Sequence, residues 1–178
     1  ILANAPATSM IKPTVVNAGF EVDVNPNSLP DGWETIWRNG SGTDHSVTQV
    51  NNANEAFLGQ RYIRLASGSE DPSSYVFALS DPITVSGGEQ VILSAAARHN
   101  LIAPQTAYLT LVEYDGSDTQ LEIQDFIVPV AGGWQFQVDY IVQTLRTETR
   151  SVRIRLGAGG GADTVLEVDD VRLIAVAP

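Results

Sequence analysis

Two stretches of the chain carry aromatic and arginine side chains that could bind a ligand. In 90–98, the small residues Ser94 and Ala96 share one strand face with Arg98. In 107–114, Tyr108 and Tyr114 share one strand face. If these stretches were neighbouring strands, the small residues would form the floor of a groove and the larger ones its walls. Such a groove suits a sugar chain, because sugar rings stack on aromatic faces and guanidinium groups donate to hydroxyls. The alternative is an ordinary solvated sheet face.

Two further residues are candidate ligand contacts because of their positions. His99 follows Arg98 at the end of the predicted groove, so it could contact the same ligand. Tyr62 has the same strand parity as Arg64, a charged residue, which favours an exposed phenol ring. His45, the other histidine, is predicted to lie in an exposed loop, and its distance from His99 along the chain gives no metal-type spacing.

Catalytic chemistry has little support in the sequence. Cysteine is absent, and no Gly-x-Ser-x-Gly motif marks a serine nucleophile. Acidic residues are plentiful, but nothing in their spacing brings two of them together as glycoside hydrolysis requires. The glycine-rich run 157–162 matches the dinucleotide-binding pattern only formally, because a strand and not a helix follows it. We therefore expect a hairpin loop there and a protein without enzymatic activity.

Short β-type runs separated by turn residues recur from Val15 onward, and no segment predicts a helix. The runs predict strands near 33–38, 46–50, 61–66, 74–79, 90–98, 107–114, 120–128, 134–142, 151–157 and 165–175. Evenly spaced strands without helices favour an all-β fold, a single jelly-roll β-sandwich of about ten antiparallel strands. Residues 1–14, which are mostly apolar or small, predict an extended N-terminal arm before a sandwich domain at 15–178.

Alternation of apolar and polar residues predicts which face of each strand is buried. Val152, Ile154 and Leu156 alternate with polar residues, as expected for a sandwich strand with one face in the core. A second strand has one strongly apolar face, made of Trp134, Phe136, Val138, Tyr140 and Val142. We expect that face to be buried and Trp134 to belong to the core.

Three segments near the two ends of the chain carry a recognisable signature. They are Asn-Ala-Gly-Phe-Glu at 17–21, Pro-Asp-Gly-Trp at 30–33 and Val-Asp-Asp-Val-Arg-Leu at 168–173. Together with the strand-rich pattern, they resemble the jelly-roll carbohydrate-binding modules of xylanases, endoglucanases and related secreted polysaccharide hydrolases. The resemblance spans roughly 15–174. It implies a sandwich in which the opening segment and the closing strand are brought together, often around a structural calcium ion.

The resemblance implies that Glu21 and Asp169 bind this calcium ion, with Asp170 as the competing choice in the aspartate pair. A carboxylate on the core-facing side of a strand is costly unless it is paired, and calcium removes that cost by taking about six to eight oxygen ligands. The alternative is that the aspartate pair faces water or forms ion pairs with Arg172 or Arg61. The ion would be structural, joining the first strand to the last.

The resemblance also distinguishes two tryptophans, Trp33 and Trp37, which share strand parity. In the resembled modules the tryptophan of the Pro-x-Gly-Trp motif is structural, and a second aromatic residue can reach the cleft. The resemblance therefore implies that Trp33 lies in the core and that Trp37 stacks on a ligand. A register slip of one residue would exchange the two faces.

The composition limits the partners. There are 21 acidic and 10 basic residues, so the net charge of −11 disfavours nucleic acid and anionic lipid. No apolar run approaches the ~20 residues of a membrane span. The chain begins with Ile1 instead of methionine, which predicts a processed or excised product and favours an extracellular or cell-surface location.

Two functions follow from these observations. The first is a non-catalytic, calcium-stabilised module that binds a polysaccharide or glycan. The alternative is a structural subunit of a surface filament, capsid or cell-surface layer. In that case residues 1–14 would pair with the sheet edge of a neighbouring subunit by β-augmentation.

Overall fold

The computed structural model describes residues 13–24, 29–40, 42–129 and 137–176, which form eleven β-strands and no helix. The strands are β1 (Trp33–Arg38), β2 (His45–Asn51), β3 (Arg61–Ser67), β4 (Tyr75–Ser80), β5 (Ile83–Thr84), β6 (Gln90–His99), β7 (Thr106–Tyr114), β8 (Gln120–Ile127), β9 (Gln137–Thr144), β10 (Ser151–Gly159) and β11 (Thr164–Val176). The predicted all-β fold is confirmed. Only the two-residue β5 was not expected, and the described ranges contain no helix that could cross a membrane.

The strands form two antiparallel sheets that pack face to face. Sheet 1 has the order β1-β4-β10-β7-β8, with β5 pairing to β10, and sheet 2 has the order β2-β3-β11-β6-β9. The chain crosses repeatedly between the sheets, so that the central strands β10 and β11 follow each other in sequence but lie in opposite layers. This arrangement is the predicted jelly-roll sandwich.

The core lies between the sheets and is mainly aliphatic. Sheet 1 contributes Val152, Ile154 and Leu156 of β10, all at most 1% exposed, which confirms the predicted burial of that face. Trp33 is 6% exposed, and its ring centroid lies 5.1 Å from that of Phe20. The implied core position of Trp33 is therefore confirmed.

The predicted groove between 90–98 and 107–114 is wrong, because these stretches form β6 and β7 in different sheets. Their apolar faces do meet across the core, where Ala97 and Leu109 line one small internal cavity. Their outer faces therefore point to opposite sides of the sandwich. Alternation identifies the buried face of each strand, but two such strands can be neighbours in a sheet or partners across the core.

The buried face predicted for the strand in 134–142 is also wrong. Tyr140 pairs with Ser94 on the outer face of sheet 2 and is 63% exposed. Val138 and Val142 share this face and are 57% and 49% exposed. The core-facing position between them belongs to Ile141, which is buried. Trp134 and Phe136 lie outside the described residues.

The two ends of the sequence signature meet in the fold. The Val171 N–H donates to the Ala18 carbonyl over 2.9 Å, which joins the opening segment to β11. A register shift between Asp169 and Arg172 interrupts the β11–β6 ladder at this point, and Asp170 adopts a positive φ of 50°. Such a bulge changes the direction of side chains within a strand.

Candidate functional site

The outer face of sheet 1 carries an open cleft of about 300 Å³. Strands β1, β4, β10, β7 and β8 all contribute to it. Its lining residues are Ile36, Trp37, Arg38, Tyr75, Phe77, Tyr108, Asp125 and Arg155. The set combines four aromatic residues, of which Tyr75, Phe77 and Tyr108 are closely spaced, with two arginines and one aspartate.

The register of the sheet explains why the aromatic rings form a floor. Phe77 of β4, Gly157 of β10 and Tyr108 of β7 are directly opposite one another across three neighbouring strands. A Cβ atom at Gly157 would lie 2.6 Å from Cδ1 of Phe77, and one at Gly159 would lie 2.7 Å from Cδ1 of Tyr75. The rings of β4 therefore occupy the space that side chains of β10 would otherwise fill, as expected where glycine in a strand permits close approach.

The three rings contact one another. Tyr75 and Phe77 have ring centroids 6.1 Å apart and planes inclined by only 15°, while Tyr75 and Tyr108 lie 5.8 Å apart with a 54° tilt. The Tyr75 hydroxyl is 3.0 Å from Oγ1 of Thr106. Burial raises the pKa of Tyr75, so its hydroxyl stays protonated at neutral pH. The floor thus presents aromatic faces bordered by polar hydroxyls.

The charged groups of the cleft are held differently. The Arg155 guanidinium lies 5.0 Å from the Phe77 ring centroid, and its Nη2 is 3.3 Å from Oδ1 of Asp125. The Thr110 hydroxyl donates to the same Oδ1 over 2.6 Å. Arg38, on the edge strand β1, is exposed and opposite Tyr75 in the register. These contacts fix the side-chain orientations of Arg155 and Asp125, whereas Arg38 lies exposed at the β1 edge of the cleft.

Flat aromatic surfaces with donors and acceptors at their edges match the surface of a sugar ring. Its C–H faces are apolar and its hydroxyls project from the rim, so that stacking and lateral hydrogen bonds act together. An open cleft on a rigid sheet also needs little rearrangement to bind, which limits the entropic cost.

Three of the six predicted ligand residues lie on or beside this outer face, and Trp37, which has the core-facing parity of Trp33 and pairs with Val76, stands beside it at the end of the edge strand β1. Trp37 and Tyr108 line the cleft, and Trp37 is 52% exposed with its indole 3.5 Å from where a Cβ of Gly42 would lie. Tyr114 lies further along β7 and lines a separate surface cavity of about 330 Å³ together with Arg153. The structure thus groups Trp37 and Tyr108 and places Tyr114 apart from them.

The other three predicted ligand residues are buried. Tyr62 is 0% exposed, so its predicted exposure is wrong; its hydroxyl donates to Glu55 over 3.2 Å. Parity placed Tyr62 correctly on the outer face, but Glu55 of the covering segment 52–60 and Arg98 contact it there. Arg98 is 7% exposed on the same face, and its guanidinium lies 5.1 Å from the Tyr62 ring centroid.

His99 is 1% exposed, and neither of its ring nitrogens points to the cleft. The Leu101 N–H donates to Nδ1 over 3.2 Å, so Nε2 carries the proton and donates to the Pro129 carbonyl over 2.9 Å. His45, predicted to be exposed, is 8% exposed in β2 and contacts the Ser74 hydroxyl over 3.0 Å. Both histidines therefore have structural hydrogen bonds.

An ion-pair network covers the outer face of sheet 2 around β3, β11 and the end of β6. Glu167 of β11 is fully buried and accepts hydrogen bonds from Arg64, at 2.6 Å, and from Arg98. Arg98 also reaches Glu55 over 3.3 Å, which attaches the covering segment to the sheet. Because each buried charge has an opposite partner, the network satisfies its own polar groups.

Most of the cleft was missed by sequence reasoning. Tyr75 and Phe77 alternate with core residues of β4, and Gly157 and Gly159 alternate with core residues of β10. Glycine at alternate positions of a strand is a signal of close backbone or ring approach. The glycines were instead assigned to a loop after 157, whereas β10 continues to Gly159.

The predicted calcium residues lie around one segment, 57–61. Glu21 Oε1 accepts hydrogen bonds from the N–H groups of Gln60 and Arg61, at 2.8 and 3.0 Å. Asp169 Oδ2 accepts from the N–H groups of Phe57, at 3.0 Å, and Leu58, at 2.9 Å. Asp170 instead pairs with Arg172 over 2.7 Å, as the alternative interpretation anticipated.

Glu21 and Asp169 supply carboxylate oxygens, the ligand type that calcium prefers. Asp169 is fully buried, and burial raises its pKa despite three backbone hydrogen bonds, so its negative charge is only partly compensated. Asp23 has a buried Oδ1 without a hydrogen-bond partner among the described residues. Within those residues no three acidic or histidine groups form a cluster, so a calcium ion would need backbone carbonyl oxygens as well.

Comparison with protein-family models and with curated protein sequences finds no match. Among solved structures, a cyclase from Fischerella sp. TAU in complex with 4-(1H-indol-3-yl)butan-2-one superposes with a TM-score of 0.67 at 15% identity, covering 93% of this chain and 98% of that chain. TmCBM61 in complex with beta-1,4-galactotriose gives a TM-score of 0.60 at 14% identity, covering 93% and 100%.

The enzymatically active domain of bacteriophage CBA120 tailspike protein 4 gives a TM-score of 0.66 at 12% identity and covers 82% of this chain. The match spans only 20% of the tailspike chain. Further carbohydrate-binding modules are among the matched structures. At these identities the comparisons establish the fold. The chain is a jelly-roll β-sandwich, the fold that the resemblance implied, and carbohydrate-binding modules, cyclases and a tailspike domain share that fold.

Proposed function

We propose that this protein is a non-catalytic carbohydrate-binding module that holds a glycan in the cleft on the outer face of sheet 1. The observation that carries this proposal is the aromatic floor of Tyr75, Phe77 and Tyr108 beside two glycine positions of β10. The fold supports it, since several solved structures with the same architecture are carbohydrate-binding modules.

Each group of the cleft has a distinct role in this proposal. A sugar ring stacks on the tyrosine faces, which supply apolar contact with little loss of side-chain entropy. Asp125 accepts and Arg155 donates hydrogen bonds at the sugar rim, and Thr110 and Phe77 fix their orientation. Trp37 extends the stacking surface at the β1 edge.

The absence of catalysis is part of the proposal. Hydrolysis of a glycosidic bond ordinarily uses two carboxyl groups that flank it, one as acid and one as base or nucleophile. Asp125 is the one carboxylate among the described residues that line the cleft, and it is already bonded to Thr110 and Arg155. An extracellular or cell-surface location, where a protein can meet structural polysaccharides, belongs to the same proposal.

A structural calcium ion is also proposed, held by Glu21 and Asp169. The cation would compensate the buried charge of Asp169 and connect the opening segment to β11 and to the segment 57–61. Asp169 belongs to sheet 2 and does not line the cleft, so the ion would stabilise the fold without contacting the glycan.

Calorimetric titration with a panel of soluble neutral glycans, galactan, xylan and β-glucan oligosaccharides, tests the proposed function. Tyr108→Ala should lower the affinity for the bound glycan about tenfold, because it removes a stacking face. Tyr140→Ala is the matched control, since that tyrosine is exposed on the opposite sheet. Equal losses in both variants, or no loss in Tyr108→Ala, would refute the assignment of the cleft.

A further inference from the structure

The cleft differs in charge from the rest of the protein. The chain carries a net charge of −11, yet the cleft lining contains two arginines, Arg38 and Arg155, and one aspartate, Asp125. Two positive charges and one negative charge leave a formal charge of +1 at the cleft. A cationic site on an acidic protein points to a ligand group that the general surface charge would repel.

The arginines of this face are not equivalent. Arg153 donates to Glu34 over 2.5 Å and to the Ser80 carbonyl over 2.6 Å. Arg155 has Asp125 as its partner. Arg38 forms no ion pair with any carboxylate among the described residues. The unbalanced charge of the cleft therefore resides on Arg38.

Arg38 is also placed where a sugar substituent would reach it. It lies opposite Tyr75 in the β1–β4 register, and its positive charge acts on the Tyr75 hydroxyl. A sugar ring stacked on the tyrosines projects its substituents sideways, toward the margin of the cleft that Arg38 occupies. A planar guanidinium binds a carboxylate through two parallel hydrogen bonds, which no hydroxyl can match.

We propose that the cleft selects acidic glycans, with Arg38 binding the carboxylate of a uronic acid unit whose ring stacks on the aromatic floor. This inference rests on the proposed function and specifies its ligand class. Arg155 stays paired with Asp125 and binds hydroxyls, so one arginine provides the selection for charge.

Matched glycans test the inference directly. Oligosaccharides of galacturonan, glucuronoxylan and mannuronan are each titrated beside their carboxyl-reduced forms, which keep the linkage and lose only the charge. At least one acidic form should bind about fivefold more tightly than its reduced partner, a change typical of a partly exposed charge pair. The preference should weaken as the salt concentration rises.

Arg38→Gln should abolish this difference by weakening the acidic form alone. Arg172→Gln is the matched control, because Arg172 is exposed on the outer face of sheet 2 and should leave both affinities unchanged. Repeating the titration with a chelator distinguishes recognition by Arg38 from calcium bridging between two acidic partners.

The outcomes separate the inference from the proposed function. Equal affinity for acidic and reduced forms, with binding still dependent on Tyr108, would overturn the inference and leave glycan binding intact. Binding of a sulfated galactan but of no uronate would also overturn it, since the recognised group would be a sulfate ester. If neither acidic nor neutral glycans bind, both the inference and the proposed function fail.

Discussion

Two glycines of β10 provide a sharp test of how the cleft floor is built. Alanine at either position adds a single Cβ atom, but that atom meets different neighbours. At Gly157 it would lie 2.6 Å from Cδ1 of the Phe77 ring, and at Gly159 it would lie 2.2 Å from the Ser74 carbonyl oxygen. The first conflict is with a half-buried side chain and the second with the backbone of Ser74 and Tyr75 where β4 begins.

The size of each conflict sets the expected loss of stability. Ordinary contacts begin at 3.4 Å, so in Gly157→Ala the ring must retreat by about 0.8 Å, from 2.6 to 3.4 Å. Phe77 can swing outward, so we expect a loss of about 1 kcal/mol in unfolding free energy. In Gly159→Ala the β4 backbone cannot yield without weakening the β4–β10 pairing, and we expect about 3 kcal/mol or more.

Urea denaturation followed by tyrosine and tryptophan fluorescence measures these changes, with Gly116→Ala as the matched control. A Cβ at Gly116 would meet Cγ of Arg150 at 3.7 Å, an ordinary contact, so stability should stay within about 0.5 kcal/mol of wild type. Gly157→Ala should also lower glycan affinity, because the displaced ring no longer lies flat. Equal stability of all three variants would refute the close-packed arrangement of the rings.

Two further predictions concern the buried carboxylate and the N-terminal arm. Burial raises the folded-state pKa of Asp169 above the ordinary 3.8, so the native state binds more protons than the unfolded state in the window above that value. In the absence of metal, the contribution of Asp169 to the free energy of unfolding should therefore fall as pH rises through that window. Asp169→Asn should make the free energy of unfolding less dependent on pH there. Added calcium should raise the melting temperature at neutral pH in wild type only; no response would contradict the calcium proposal. Light scattering should give a monomer with and without residues 1–14, whereas assemblies lost with the arm would favour the structural-subunit alternative.

The fold was accessible from the sequence because its signals are local. Turn residues and alternation predicted ten of the eleven strands, and the signature at 17–21 and 168–173 implied the meeting of the two chain ends. Trp33 was placed correctly because the resemblance assigned it a structural role. The faces of β10 were correct because Val152, Ile154 and Leu156 alternate with polar and charged residues without exception.

The site was less accessible because it depends on which strands are neighbours. Arg98 and Tyr108 are only ten positions apart, but they lie on opposite sides of the sandwich. Tyr62 faces outward as parity predicted, yet it is 0% exposed, and its hydroxyl donates to Glu55 in the connection between β2 and β3. Tyr140 shows the converse, an aromatic residue in an apolar alternation that nevertheless faces outward. Local patterns contain no information on long-range pairing or on covering segments.

The two central strands explain why the middle of one outer face is open and the middle of the other is covered. On β11, Glu167 faces outward, and its buried charge is paired with Arg64 and Arg98. Arg98 also pairs with Glu55, which attaches the covering segment 52–60 to this face. On β10, the outward positions of Gly157 and Gly159 carry no side chain, so neighbouring rings spread across the strand and remain accessible. A β-branched side chain at Gly157 would project from the sheet between Phe77 and Tyr108 and separate their rings. The two glycines of β10 therefore determine the location of the cleft as much as the aromatic residues of β4 and β7 do.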